Sequence, residues 1–513
     1  MRSLVADLVA LRLVQLPQGP MNSALYRILR EAIYEGRLAG GTRLPASRDL
    51  SAELAVARNT VVHAYTQLQA EGYVVVRPGN GTFVADMLPE GATHAAMPAW
   101  LRAARGASVA RAPTVSRRGQ HLLRNASAAR HQGGAFTPGA PDVTLLPRER
   151  LTRLFRDAWR NPDPALLNYA HHGGLPALKS ALSDYLSVSR SLDCTPGQVI
   201  VTEGAHQAIE LITRLLADVG DTVWVEDPGY WGARSILQIN GVQIQGMPVD
   251  GEGMCLPQTM PEVVPKFIFL TPSHQYPLGP VMSMARRLQI LSLARQWGAW
   301  VIEDDYDSEM RFAGRPIAAM QGLEPDAPVV YLGTFSKTLY PGLRLGYLVV
   351  PTALADAFQR AQNELYREGH YMTQTAIASF IEQGDYARHI RRMRLLYGQR
   401  RAMLVNLIER RLGQGWLHGN GSDAGLHLVI DLPEGMDDLA VEHDLQVRGV
   451  VTRALSRYYL DRATARPGLL LGYACVPESQ MAASFEVVVA VLAEHVQAMR
   501  RPAAKASSHL VGV

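Results

Sequence analysis

The stretch 331-YLGTFSKTLYPGLRLGYLVV-350 sets one lysine between two buried strands. Val329 to Gly333 and Leu345 to Val350 are apolar, β-branched runs that read as strands, so Lys337 lies in the irregular connection between two sheet elements. Most loop lysines are solvated, and only the neighbours set this one apart. Thr334 and Ser336 place hydroxyls beside it, and Arg344, seven residues on, carries a planar fork of donors suited to phosphate. Upstream, the apolar run Ala299 to Ile302 leads into 303-EDDYD-307, which puts Asp304 and Tyr306 at a strand end. A carboxylate there can pair with a protonated ring nitrogen, and a phenol can bond a ring oxygen. An amine, an acid and phosphate donors together make up what a pyridoxal phosphate site requires.

The motifs TFSK (Thr334 to Lys337) followed by Arg344, EDDYD, and QYPLG (Gln275 to Gly279) resemble, in order and spacing, those of the fold-type I aminotransferases. The resemblance implies that Lys337 forms a Schiff base with pyridoxal phosphate, that Asp304 holds the pyridinium charge, and that Tyr306 bonds the ring oxygen. Thr334, Ser336 and Arg344 would hold the phosphate. In 198-QVIVTEGAHQAIELITRLL-216 a strand, a glycine turn and a helix follow one another, so the N–H groups near Ala205 and His206 point at an anion from the helix start. By the same resemblance Tyr230, in 222-TVWVEDPGYWGAR-234, stacks on the ring, and Tyr169 reaches the neighbouring subunit's cofactor phosphate. Two departures stand out. Many family members have Asn-Pro where this chain has Tyr276-Pro277, leaving His274 and Gln275 either as polar contacts or as turn residues. Leu470 stands where many carry the arginine that clamps a substrate carboxylate. Either Arg453 or Arg234 substitutes, or the ligand is of another kind.

Near the N-terminus, Leu25, Ile28, Leu29, Ala32 and Ile33 recur at helical spacing and predict a helix over 21–36. A short helix over 47–55 and a third over 59–71, burying Val61, Ala64, Tyr65 and Leu68, precede 73-YVVVRPGNGTFVA-85, which reads as a hairpin. Three helices and a hairpin make a winged helix-turn-helix. The whole of 43–84 resembles the GntR-type winged helix, which implies that Arg48, Arg58, Asn59, Thr60 and His63 face DNA, with Gly81 at the wing. Polar side chains at the start of the third helix can reach base edges, while Arg48, Arg77 and the wing backbone bind phosphates.

At 513 residues the chain has material for two or more domains. Its net charge of +4 is too slight to argue for nucleic acid by itself. The cysteines Cys194, Cys255 and Cys475 lack metal-ligand spacing and read as reduced thiols of a cytoplasmic protein, and no run of apolar residues predicts a membrane span. The expected organisation is an N-terminal tail (1–20), a winged helix-turn-helix (21–86), a basic irregular linker (87–135) with a short helix at Pro98 to Arg105, an α/β domain with a mainly parallel sheet (136–499), and a disordered tail (500–513). In the last third, Arg391, Arg392 and Arg394 read as a solvated or ion-paired face of a long helix, and 425–432 and 449–459 read as strands before the segment 468–476. A GntR-like reader joined to an aminotransferase-like domain resembles the MocR/GabR class of regulators. That likeness implies binding to a double-stranded DNA operator, a head-to-tail homodimer, and sensing of an amine, an amino acid or pyridoxal phosphate itself. A working aminotransferase with an appended DNA reader, or a cofactor-free scaffold, are the alternative readings.

Overall fold

The computed structural model describes residues 3–13, 20–86, 114–125, 133–169, 173–313, 317–367, 369–420 and 423–500. The chain forms two compact units, Met1–Thr114 and Val115–Val513.

In the first unit, helices Met21–Tyr34, Ser47–Leu54 and Arg58–Ala70 precede strands β1 (Val74–Arg77) and β2 (Gly81–Val84). The strands pair antiparallel, with Val74 opposite Val84 and Arg77 opposite Gly81. The periodic residues Leu25, Ile28, Leu29, Val61, Ala64 and Leu68 form the core, as their spacing predicts. Ala55 adopts a left-handed conformation (φ 54°), which ends the second helix and lets the third start at Arg58. The expected tail over 1–20 is corrected. Residues Leu4–Leu13 are a helix whose Val5, Ala6 and Val9 are buried in the same core. This helix is apolar almost all round, so it lacks the polar alternation that announces a surface helix. Ser3 anchors its start through Glu53, and Arg12 lies 3.5 Å from Glu31.

In the second unit, an eight-stranded sheet has the order β3 (Val199–Thr202), β10 (Gly346–Val349), β9 (Val329–Thr334), β8 (Trp300–Asp305), β7 (Phe267–Leu270), β4 (Thr222–Asp227), β5 (Gln243–Asp250), β6 (Gly253–Met254). Strands β5, β4, β7, β8 and β9 run parallel, while β10 is antiparallel to both of its neighbours. Every residue of β3, β7, β9 and β10 is buried, as strands covered on both faces require. The carboxyl ends of β8 and β9 therefore open side by side, where α/β sheets bind ligands.

A smaller sheet packs β11 (His427–Asp431), β13 (Gly468–Gly472) and β12 (Arg453–Ala454) in that order. The run 449–459 read as a strand is corrected to two strand residues followed by a tight turn at Leu455–Tyr458. Two carboxylates impose that turn: Asp438 accepts from Ser456 N at 2.9 Å, and Glu442 accepts from Ala454 N at 2.9 Å and Arg457 Nε at 2.7 Å. On the long helix Asp385–Arg411, Arg391 is exposed, whereas Arg392 and Arg394 donate to the carbonyls of Leu145 and Glu309. Its Arg400 is buried in an ion pair with Asp142 at 2.8 Å.

The helix Glu478–Arg500 is long and apolar enough to cross a bilayer by length and composition alone, but its Met481, Phe485, Val488, Val491 and Leu492 are buried in the core. Part of the expected irregular linker is helical, over Arg117–Asn125. The short helix expected at Pro98 to Arg105 and the tail 501–513 lie outside the described residues.

Candidate functional site

The strand ends bring the dispersed motifs of the large unit to one cavity of about 310 Å³. Lys337, Asp304, Tyr306, Thr334, Ser336, Arg344, Ala205, His206 and Tyr230 all line it. Lys337 Nζ donates to Gly139 O at 2.9 Å, and a Cβ on Gly139 (φ 67°) would stand 3.0 Å from that amine. Burial lowers the lysine's pKa, against the opposing pull of Asp307 and then Asp304. The amine is thus less firmly protonated than a solvated one.

Asp304 is 4 % exposed, and its Oδ1 has no hydrogen-bond partner among the described residues. Burial, reinforced by Asp305, Glu226 and Asp307, pushes its pKa to about 8. An acid left bare in a cavity wall calls for a cationic N–H partner. This is the observation by which the residues fit pyridoxal phosphate, whose ring nitrogen would supply that donor. Glu226, buried nearby on β4, accepts from Thr271 Oγ1 at 2.6 Å, and burial raises its pKa to about 7.

One end of the cavity is arranged for an anion. Gly204 (φ 88°) turns the chain from β3 into the helix Ala205–Leu216, whose first N–H groups lack helical partners. A Cβ on Gly204 would sit 3.5 Å from the Arg344 guanidinium, and Arg344 Nη2 donates to Glu203 O at 2.8 Å. Thr334 Oγ1 donates to Ser336 Oγ at 3.0 Å and accepts from Ser336 N at 3.2 Å.

Part of the lining is aromatic. Tyr230 hydrogen-bonds His206 Nε2 at 2.8 Å, and Tyr276 meets Tyr306 and Tyr458 edge to face, with its hydroxyl 3.0 Å from that of Tyr458. Sequence reasoning missed Thr137, Pro138, Trp231, Thr271, Pro341 and Tyr458 in this lining, and only the folded chain brings them together. Of the two substitute arginines, Arg453 lines the cavity, whereas Arg234 is not among the lining residues and donates to Arg457 O at 2.8 Å. His274 is a buried partner of Tyr306, and Gln275 is a turn residue whose Nε2 donates to Pro228 O at 2.9 Å. Tyr169 is not brought to the cavity of its own chain. It is 72 % exposed and lines a surface groove with Trp159, Leu167, His370 and Tyr371.

In the first unit, Arg48, Arg58, Asn59 and His63 are exposed, and Thr60 is half-buried. Arg77 lies over the Phe83 ring at 4.8 Å and 3.9 Å from Asp86. Gly81 (φ 108°) leaves room for the Arg43 guanidinium, which a Cβ there would approach to 3.2 Å. Arg43 thus joins the wing, a placement that the helical pattern did not reveal. Among the described residues no group of three or more His, Cys, Asp or Glu is arranged to hold a metal.

Two family models match the chain: aminotransferase class I and II over residues 147–483, and bacterial regulatory proteins of the gntR family over 22–84. The probable rhizopine catabolism regulatory protein MocR of Rhizobium meliloti is 40% identical over 470 residues, covering 90% of this chain and 92% of that protein. The pyridoxine biosynthesis transcriptional regulator PdxR of Corynebacterium glutamicum is 32% identical, covering 87% and 90%. The crystal structure of Pyrococcus horikoshii kynurenine aminotransferase superposes with a TM-score of 0.64 at 23% identity, covering 75% of this chain and 96% of that one, and shows the fold alone. The chain belongs to the MocR-type transcriptional regulators, in which a GntR-family DNA-binding domain is joined to an aminotransferase class I and II domain.

Proposed function

We propose that this regulator holds pyridoxal phosphate at Lys337 and that the state of the site governs how the winged-helix unit binds a double-stranded DNA operator. When bound, the cofactor supplies an aldehyde that combines reversibly with amines. Lys337 Nζ is the chain's own amine for that aldehyde, and burial lowers its pKa, which raises the share of the neutral, nucleophilic form. Asp304 accepts the ring N–H, Tyr306 bonds the ring oxygen, and Tyr230 packs on the ring face. Thr334, Ser336, Arg344 and the amides of Ala205 and His206 hold the phosphate.

The effector is an amine, an amino acid or the cofactor itself. Arg453, in the wall of the cavity, takes the role of the carboxylate clamp. The exposed aromatic groove around Tyr169 and Trp159 supports a head-to-tail homodimer in which Tyr169 reaches the second copy's phosphate site. Arg48, Arg58, Asn59, Thr60 and His63 read the operator, and Arg77 and Gly81 set the wing on its backbone. Such a protein works in the cytoplasm, where the operator is.

The observation that carries this reading is the unpartnered Asp304 Oδ1 in the same cavity wall as the buried Lys337 amine. The test is absorption spectroscopy of the purified chain with added pyridoxal phosphate. The parent should retain a visible band through gel filtration and Lys337→Ala should lose it. A band of equal strength in Lys337→Ala would remove the assignment. Adding amines to the loaded protein separates sensing from catalysis. A persistent spectral change without release of a carbonyl product marks a sensor, and sustained turnover with a keto acid marks an aminotransferase.

A further inference from the structure

Beneath Tyr306 lies a group of buried polar side chains that no role above uses. His274, 1 % exposed, presents a single nitrogen to two oxygens: Nδ1 is 2.8 Å from the Tyr306 hydroxyl and 3.0 Å from Asp307 Oδ2. Its Nε2 is buried and has no partner among the described residues. The neutral ring has two tautomers. With Nδ1 bare, Tyr306 donates inward and the nitrogen lone pair faces a carboxylate at close range, where burial leaves the repulsion unscreened. With Nδ1 protonated, it donates to Asp307 in a charge-assisted bond, and Tyr306 keeps its own proton for the cavity. The unpartnered Nε2 selects between them as well, because a buried bare lone pair costs less than a buried N–H with nothing to receive it.

The surroundings fix the ring. A Cβ on Gly425 (φ 89°) would fall 2.1 Å from His274 Cε1, so only glycine fits there. Behind it, His427 binds Pro277 O at 2.9 Å, and burial brings its pKa to about 3, so it stays neutral. Among the described residues, the other titratable groups acting on Tyr306 or Asp307 are Asp304, Glu226, Glu309, Lys337, Tyr276 and Tyr473.

We propose that His274, held by Asp307, is a positioning residue that makes Tyr306 a hydrogen-bond donor into the Lys337 cavity. It rests on the pyridoxal phosphate reading only for the identity of what receives that bond, the ring oxygen.

Two measurements test this. Long-range 1H–15N spectra of the full-length protein report the tautomer of each histidine, with the His274 signal identified by its loss in His274→Asn. A neutral Nδ1–H ring is expected with and without cofactor, and a neutral Nε2–H or a doubly protonated ring overturns the proposal. In the second, the visible band of protein loaded with pyridoxal phosphate is titrated against pH. Loss of a donor to the ring oxygen lets that oxygen hold its shared proton more tightly, so Tyr306→Phe should move the midpoint up by about one pH unit. His274→Leu should follow in the same direction and add nothing in the Tyr306→Phe background. His274→Asn, whose amide can still donate to Asp307, should restore most of the parent value. An equal shift from His274→Leu with and without Tyr306 would show that it does not act through the phenol. If the parent takes up no cofactor, the functional reading fails, while the tautomer still decides which way Tyr306 donates.

Discussion

Around Lys337 the polar groups are buried, whereas at the start of the helix Arg58–Ala70 they stand in solvent. Asp304, Glu226 and Asp307 are each under 5 % exposed, while Arg58, Asn59 and His63 are exposed. The difference follows from what each region has to recognise. A small ring with one protonated nitrogen is told apart from water only if the site has already removed water, so desolvation sets the strength and the proton affinities there. A DNA duplex brings a dense row of phosphates and a hydrated groove, so flexible exposed cations gain by displacing counterions. The first region should therefore respond steeply to single uncharged substitutions and to pH, and the second to salt.

The largest expected effect beyond Lys337 itself is at Asp304. Replacing Asp304 with Asn removes the charged acceptor of the ring N–H, and cofactor affinity, measured by equilibrium dialysis, should fall roughly ten- to hundredfold. The same variant should have the opposite effect on the cofactor-free protein. The folded state holds the Asp304 proton up to a pH of about 8, against an ordinary 3.8, so the unfolded chain binds fewer protons across that interval and stability falls as pH rises through it. Cofactor-free Asp304→Asn should therefore melt above the parent at pH 8, with the gap closing towards pH 4. A gap that grows towards acid would contradict the burial argument.

On the DNA-binding face, Arg58→Ala should cost about 1–3 kcal/mol of operator affinity and relax discrimination at one base pair. Arg77→Ala should instead weaken binding to all sequences alike and lower the slope of log affinity against log salt by about one. An Arg58→Ala protein that binds as tightly as the parent would displace the recognition helix from the groove. The smallest expected effect is at Val9→Ala, in the helix that packs under the reader. It should lower the stability of the first unit by roughly 1.5 kcal/mol, read by thermal melting, and leave the cofactor spectrum unchanged.

The same contrast explains which parts were legible in the sequence. Lys337, Asp304 and Arg344 announced themselves because each sits in a short string at a strand end, with its partners within a few residues. The periodic helices Met21–Tyr34 and Arg58–Ala70 were equally plain, since each alternates a buried stripe with a polar one. The helix Leu4–Leu13 has no such stripe and passed for a tail. Local patterns were also silent wherever partners come from distant parts of the chain. Gly139 reaches Lys337 across 198 residues, and Arg400 reaches Asp142 across 258. His274 stayed open between a polar contact and a turn residue because Tyr306 and Asp307 come from the next strand end, and Arg453 entered the cavity wall through a turn fixed by Asp438 and Glu442.

The proposed coupling makes occupancy at Lys337 felt at the operator. It requires the cofactor to bind two conformations unequally, and a coupling of typical size changes DNA affinity about 5- to 150-fold. Fluorescence anisotropy of labelled operator DNA, titrated with the full-length protein with and without saturating pyridoxal phosphate, measures it directly. A shift of that order is expected for the parent and none for Lys337→Ala, whereas superimposable parent curves with and without the cofactor would rule the coupling out.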